Sequence, residues 1–223
     1  MNIQQKIAKV KGIADVVFCI DATGSMQPCI DQVKANVEAF TGSIVTAYPN
    51  SHIDWRARII AYRDFFKDSV YIMNDFPFVN TAEEVKAQLD QVVADGGEDE
   101  PESTLDAILY ASKKSDWRKG VHKIVVVFTY ATPLENISPI TISELGIPDD
   151  LEIIFQTLFI EDRIKLFLFG QKHPIYDKIQ EQSRTTVKQF ENAIEELKVA
   201  DFTSILETIG KTVSQMASTG NVF

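Results

Sequence analysis

The sequence predicts an α/β fold, a doubly wound and mostly parallel central sheet with helices on both faces. Two observations carry that expectation. Residues 14–20 (ADVVFCI) and 123–129 (KIVVVFT) are short continuous apolar runs, the pattern of strands covered on both sides. Segments with apolar residues at helical spacing alternate with these and with weaker strand-like runs, as in a sheet built from strand–helix–strand units. Ligands of such sheets bind where strand carboxyl ends meet the following loops, which points to the loops after Ile20 and Thr129.

The elements follow in order. The first strand ends at Asp21 and runs into the turn Ala22-Thr23-Gly24-Ser25, and Pro28 suits the first turn of a helix. Ile30, Val33, Val37, Phe40 and Ile44 carry that helix to near Tyr48, where Pro49 and Asn50 stop it. Residues 54–62 (DWRARIIAY) read as the next strand and 70–73 as a short edge strand. Thr81 with Glu84 resembles a capping box ahead of Val85, Leu89 and Val92. Residues 95–101 (DGGEDEP) read as a loop, and a helix follows with Leu105, Ile108 and Leu109 inward. Beyond the second strong strand, Pro133, Pro139 and Pro148 leave room only for a short helix over 140–145. Residues 151–160 and 164–169 both read as strands, and the pattern does not choose which is central. The C-terminal third reads as a helical segment after Pro174, a final strand over 185–190, and a last helix with Phe202, Ile205, Ile209 and Val213 on one side. No Gly/Ser linker, repeat or low-complexity tract interrupts residues 1–223, so a single domain is expected.

Composition narrows the function classes. The 223 residues are 45% hydrophobic and 24% charged, ordinary values for a chain able to bury one sizeable core. A net charge of −10 argues against nonspecific binding to nucleic acid or an anionic membrane, both of which need basic surface. The first residues lack the apolar core of a secretory signal, and no run approaches the roughly 18 apolar residues of a membrane span. Cys19 and Cys29 are too few for a disulfide framework and read as reduced thiols in or near the core. A cytoplasmic protein is the resulting expectation.

The informative string is Asp21-Ala22-Thr23-Gly24-Ser25-Met26, with one carboxylate and two hydroxyls within five residues at the end of a buried strand. Gly24 lets the backbone turn tightly enough to aim them at one point. Hard oxygen donors suit Mg²⁺ or Mn²⁺ and commonly leave positions for water or a partner's carboxylate. The same residue types are also what turns and helix N-caps prefer.

Residues 15–26 (DVVFCIDATGSM) resemble the first metal motif of the von Willebrand factor A (VWA) fold, and particularly its bacterial-type Asp-x-Thr-Gly-Ser-Met subgroup. Two further strings match that subgroup in order: Ala61-Tyr62-Arg63-Asp64 at the end of a strand, and the loop Gly96-Gly97-Glu98-Asp99-Glu100-Pro101-Glu102. The motifs span residues 13–132. The resemblance implies a metal-ion-dependent adhesion-type site with Asp21, Thr23 and Ser25 from the first loop and Asp99 from the second, the open position taking an acidic residue of a protein partner. It also implies an Asp in the third loop, after the fourth strand, but here Thr129-Tyr130-Ala131 puts Tyr130 in that place. A neutral phenol, with an ordinary pKa of about 10, is a poor substitute for a carboxylate. Two outcomes follow. Glu98 or Asp99 compensates in a weaker site, or the fold is kept for interaction without metal.

Other motifs read as structural. His52, His122 and His173 share no ligand spacing, and Gly210-Lys211-Thr212 lacks the glycine of a phosphate loop because Ile205 stands there. Ser25 has no histidine nearby in sequence and no nucleophile elbow. Arg63 and Asp64 read as an ion pair, and Glu98, Asp99, Glu100 and Glu102 as a solvated loop face. Trp55 and Trp117 read as core or interface anchors, and Phe65, Phe66, Phe76 and Phe78 as packing under a loop or an apolar docking surface. The expected function is a protein-binding module rather than an enzyme. A Mg²⁺-dependent hydrolase or phosphoryl-transfer enzyme would need a second carboxylate two residues after Asp21, where Thr23 stands.

Overall fold

The computed structural model describes residues 10–46, 52–64, 72–96 and 101–218. The elements are β1 (Val10–Asp21), a 3-10 turn (Gly24–Met26), α1 (Gln27–Thr46), β2 (His52–Tyr62), β3 (Ile72–Asp75), α2 (Ala82–Leu89) and α3 (Thr104–Lys114). They continue with β4 (His122–Phe128), α4 (Pro139–Leu145), α5 (Leu151–Phe155) and a π-helical turn (Gln156–Glu161). Last come β5 (Lys165–Gln171), α6 (Pro174–Gln180), β6 (Thr185–Phe190), α7 (Ala193–Lys198) and α8 (Phe202–Ser218).

The six strands form one sheet in the order β3-β2-β1-β4-β5-β6. Every pairing is parallel except that of β2 with the edge strand β3. The two most apolar runs lie side by side at the centre, with Val17 opposite Val125 and Ile20 opposite Phe128. Alternate side chains point to opposite faces. Val16, Phe18 and Ile20 join Val126 and Phe128 in a core with α1, α2, α7 and α8. Val17, Cys19, Val125 and Val127 join the other core, with α3, α5 and α6. Both faces are therefore covered, as the continuous apolar runs require.

The wiring creates the crevice. From β1 the chain returns through α1 to β2 on one side, and from β4 it returns through α4 and α5 to β5 on the other. Right-handed crossovers leaving adjacent strands in opposite directions put their helices on opposite faces. The carboxyl ends of β1 and β4 thus splay apart, and this is the topological switch point.

Residues 151–160 are not a strand. Asp150 caps α5 by accepting the N–H groups of Glu152 (2.9 Å) and Ile153 (3.1 Å). Ile154, Phe155, Leu158 and Phe159 are buried at helical spacing, while Ile153 and Ile160 are 43% and 64% exposed. Of the two candidates only 165–171 enters the sheet, between β4 and β6, and the central strands are β1 and β4. The expected capping box holds α2: Thr81 accepts the Glu84 N–H, and its hydroxyl donates to the Glu84 carboxylate. The short helix α7 was not foreseen.

Two packing features stabilise this frame. The helix α8 lies against α1 and β1 at backbone distance, because Gly210 faces Phe40 and Ser43 and Gly12 faces Ala217. In β1, well before its carboxyl end, Asp15 is fully buried and receives Arg56 Nε and Nη2 at 2.9 Å each and Arg118 Nε at 2.8 Å. Among the described residues no helix is long and apolar enough to cross a membrane.

Candidate functional site

Asp21 is the last residue of β1 and is fully buried at the switch point. Its Oδ1 accepts the Thr23 N–H at 3.0 Å, and its Oδ2 accepts the Thr129 hydroxyl at 2.8 Å. Thr129 follows β4, and its Oγ1 also accepts the Ala131 N–H at 3.0 Å. A hydroxyl can donate and accept at once, so one side chain fixes both the carboxylate and the third-loop backbone. Sequence reasoning missed Thr129; the available signal was a hydroxyl residue directly after a buried strand.

Thr23 stands at the N-cap of the 3-10 turn but its side chain makes no capping hydrogen bond. Turn chemistry therefore explains the Asp21–Thr23 bond and leaves the Thr23 hydroxyl without a capping role. Ser25 is exposed two residues on. Asp21, Thr23 and Ser25 accordingly share one short loop, with the carboxylate buried and Ser25 facing solvent.

The second loop is tied to the first through backbone groups. Gly24 N–H donates to Gly96 O at 2.9 Å, and Asp95 N–H donates to Ala22 O at 3.0 Å. A Cβ on Gly24 would sit 3.3 Å from Gly96 O, and Gly96 itself has φ +68°, so both positions suit glycine. Gly97, Glu98, Asp99 and Glu100 lie outside the described residues. Phe65 and Phe66 do as well.

Glu102 does not belong to a solvated face. It is buried, its N–H donates to Thr132 O (2.9 Å), and its carbonyl accepts the Leu134 N–H (2.8 Å), stitching the start of α3 to the third loop. Arg63, expected to pair with Asp64, directs Nε to Ala22 O and Nη2 to Val93 O, both at 3.0 Å.

Tyr130 occupies the third-loop position where an acid was expected. It is buried, its hydroxyl has no hydrogen-bond partner among the described residues, and burial pushes its phenol up, with Cys29, Glu195 and Asp21 adding to the shift. The phenol stays neutral and supplies no charge to the crevice. Beneath the site, Tyr62 and Thr104 are hydrogen-bonded through their hydroxyls at 3.1 Å. Burial first, then the Asp21 charge, holds the Tyr62 phenol well above its ordinary value. Among the described residues no group of three or more His, Cys, Asp or Glu side chains gathers, so the donors these residues offer a cation here are Asp21 and hydroxyl oxygens.

Residues 15–155 match the family described as von Willebrand factor A domain. The chain belongs to that family. A solved von Willebrand factor type A protein from Catenulispora acidiphila superposes with a TM-score of 0.60 at 11% identity, over 91% of this chain and 43% of that one, a likeness of fold. The alpha-protein kinase vwkA of Dictyostelium discoideum is 26% identical over 121 residues, 54% of this chain. This chain spans only 19% of the length of that protein. The VWA match ends at Phe155, before β5, β6 and α8, although these complete the sheet and one of its cores.

The remaining singled-out residues are structural. His173 Nδ1 accepts the Ile175 N–H at the start of α6. Gly210, Lys211 and Thr212 lie within α8. Trp55 packs edge-on against Phe40, and Trp117 donates to Ser112 O. Phe76 and Phe78 pack against the two cores as partly buried residues.

Proposed function

We propose that this VWA domain is a protein-interaction module that docks an acidic side chain of a partner on the face carrying Asp21, Thr23 and Ser25. The docking runs through Mg²⁺ or Mn²⁺, with Asp99 as the second-loop donor. The observation that carries the reading is the Thr23 hydroxyl, which makes no capping bond, two residues after a carboxylate held in place by Thr129. An oxygen donor set of two carboxylates, Asp21 and Asp99, and two hydroxyls fits a hard divalent ion that keeps water or a partner's carboxylate in its shell. Bound there, the ion would supply the positive charge that holds the partner's acid. Tyr130 removes one negative charge from the set, which weakens the ion's hold and leaves the bound ion more attractive to an acidic ligand.

The string Asp21-Ala22-Thr23-Gly24-Ser25-Met26 supports a reading of the chain as one of the bacterial-type subgroup. Binding rather than catalysis is favoured because Thr23 occupies the place of a second carboxylate. Two buried free thiols agree with a reducing, cytoplasmic setting.

Isothermal titration with Mn²⁺ and Mg²⁺ tests the reading. The natural chain should bind Mn²⁺, Ser25→Ala should weaken binding, and Tyr130→Asp should tighten it. Absence of heat at millimolar metal in both the natural chain and folded Tyr130→Asp would overturn it. The buried, uncharged Tyr130 favours a second reading, a metal-independent adaptor of the same fold; partner capture unaffected by chelator would select it.

A further inference from the structure

We infer that Arg63 is a positioning residue that sets the spacing of the first and second loops of the site. Its consequence for metal binding rests on the function proposed above; its effect on the loops does not.

Arg63 follows the last residue of β2 and is only 9% exposed. One edge of its guanidinium spans two segments. Nε donates to Ala22 O, 41 positions away, and Nη2 to Val93 O, 30 positions away. The fork is planar and rigid, so donors on one edge fix the relative position of two acceptors. Hydrogen bonds from a cation are also roughly twice as strong as neutral ones.

Ala22 is the focus of this brace. Its carbonyl accepts from both Arg63 Nε (3.0 Å) and Asp95 N–H (3.0 Å), and its own N–H donates to Tyr62 O (2.8 Å). Every backbone polar group of the residue between Asp21 and its capped partner Thr23 is therefore held by the end of β2 or by the second loop. A carbonyl has two lone pairs, and both are used. If Arg63 is lost, Ala22 and Val93 keep their acceptors but lose the common donor, and among the described residues the backbone bonds that still join the loops are Asp95–Ala22 and Gly24–Gly96. In this chain the arginine of the Ala61-Tyr62-Arg63-Asp64 string is the side chain that joins the two loops.

The test compares the natural chain with Arg63→Met, which keeps much of the stem but no donor, and Arg63→Lys, which keeps charge but offers one point donor. Amide hydrogen exchange is read at Asp95 and Gly24, the donors of the inter-loop bonds, against Val125 in β4 as a core reference. In Arg63→Met, exchange at Asp95 and Gly24 should accelerate at least tenfold relative to Val125, and Arg63→Lys should recover only part of the protection. A purely global loss of stability would raise all three together, and an unchanged ratio overturns the proposal. Mn²⁺ affinity, measured in parallel, should fall about tenfold in Arg63→Met. If the natural chain binds no Mn²⁺, the metal reading fails on that arm, while the exchange ratio still decides the role of Arg63.

Discussion

Replacing Gly210 by alanine should destabilise the protein even though alanine is the better helix former. The substitution adds one methyl group inside α8, where the change of residue alone favours the helix by about 1 kcal/mol. The added Cβ would lie 1.9 Å from Ser43 Oγ and 2.6 Å from Phe40 O. Ser43 can rotate away, at the expense of its bond to the Phe40 carbonyl (2.8 Å). The carbonyl itself is α1 backbone and cannot. Opening 2.6 Å to a tight but tolerable contact moves the helices apart by roughly 0.7 Å. A gap of that size forfeits a quarter to a half of each pairwise attraction along the seam, which places the steric penalty near the upper end of the usual overpacking range, about 3 kcal/mol.

The net expectation is a loss of about 2 kcal/mol, or roughly 4–8 °C in melting temperature for a chain of this size. Gly42→Ala is the matched control, because Gly42 also lies in a helix but a Cβ there meets nothing within 4 Å. It should stabilise by up to about 1 kcal/mol. Urea unfolding at unchanged slope measures both. Shifts of the same sign in the two variants, or a Gly210→Ala protein as stable as the natural one, would refute the reasoning. If the Ser43→Ala, Gly210→Ala double variant is fully restored, the obstacle is the hydroxyl rather than the backbone.

Removing Asp15 should be far more costly than its position away from the switch point suggests: Asp15→Ala leaves the partly buried Arg56 and Arg118 without their shared carboxylate. A loss of about 3–5 kcal/mol in urea unfolding is expected, and a loss below about 1 kcal/mol would show the network to be dispensable. Asp106, fully buried in α3, accepts the Ser138 N–H (2.9 Å) and the Thr141 hydroxyl (2.5 Å) on Oδ1, while its Oδ2 has no partner among the described residues. Burial raises its pKa, opposed by those hydrogen bonds. A carboxyl raised in the folded state contributes stability that is full below the unfolded value, near 3.9, and is lost as pH rises through the folded value. Asp106→Asn should therefore keep both acceptor bonds, flatten that part of the pH–stability curve, and match or exceed natural stability at pH 7. Asp106→Ala should lose about 1–3 kcal/mol by orphaning the Ser138 N–H. Equal losses in the two variants would exclude this account.

The central strands, α1 and the order of alternation were legible because burial on both faces forces continuous apolar runs, and one-sided burial forces helical spacing. Residues 151–160 misled for a related reason. Ile153 and Ile160 are apolar but exposed, and they blur the helical spacing of the buried Ile154, Phe155, Leu158 and Phe159. Asp150 behind Pro148 was the available signal of a helix start. At the candidate site, Asp21, Thr23 and Ser25 could be singled out because they share one short stretch of sequence. Thr129 and Arg63 act across long separations, through a hydroxyl and a guanidinium aimed at groups that no local pattern reveals. Glu102 looked solvated because charged neighbours surrounded it in sequence, whereas its burial follows from backbone pairing with the third loop.

The helix α8 has a practical bearing on how this domain can be moved between proteins. The family match stops at Phe155, yet Phe202 of α8 packs against Phe128 of β4 at a centroid distance of 5.5 Å, and Phe128 stacks on Phe169 of β5 at 5.0 Å. A fragment cut at the match boundary would present to water the β4 edge and the part of the central strands' face that α8 covers, an aggregation template rather than a binding module. Fusions and domain transplants need to carry the chain through Ser218, and tags added there must leave the close approach of Ala217 to Gly12 undisturbed.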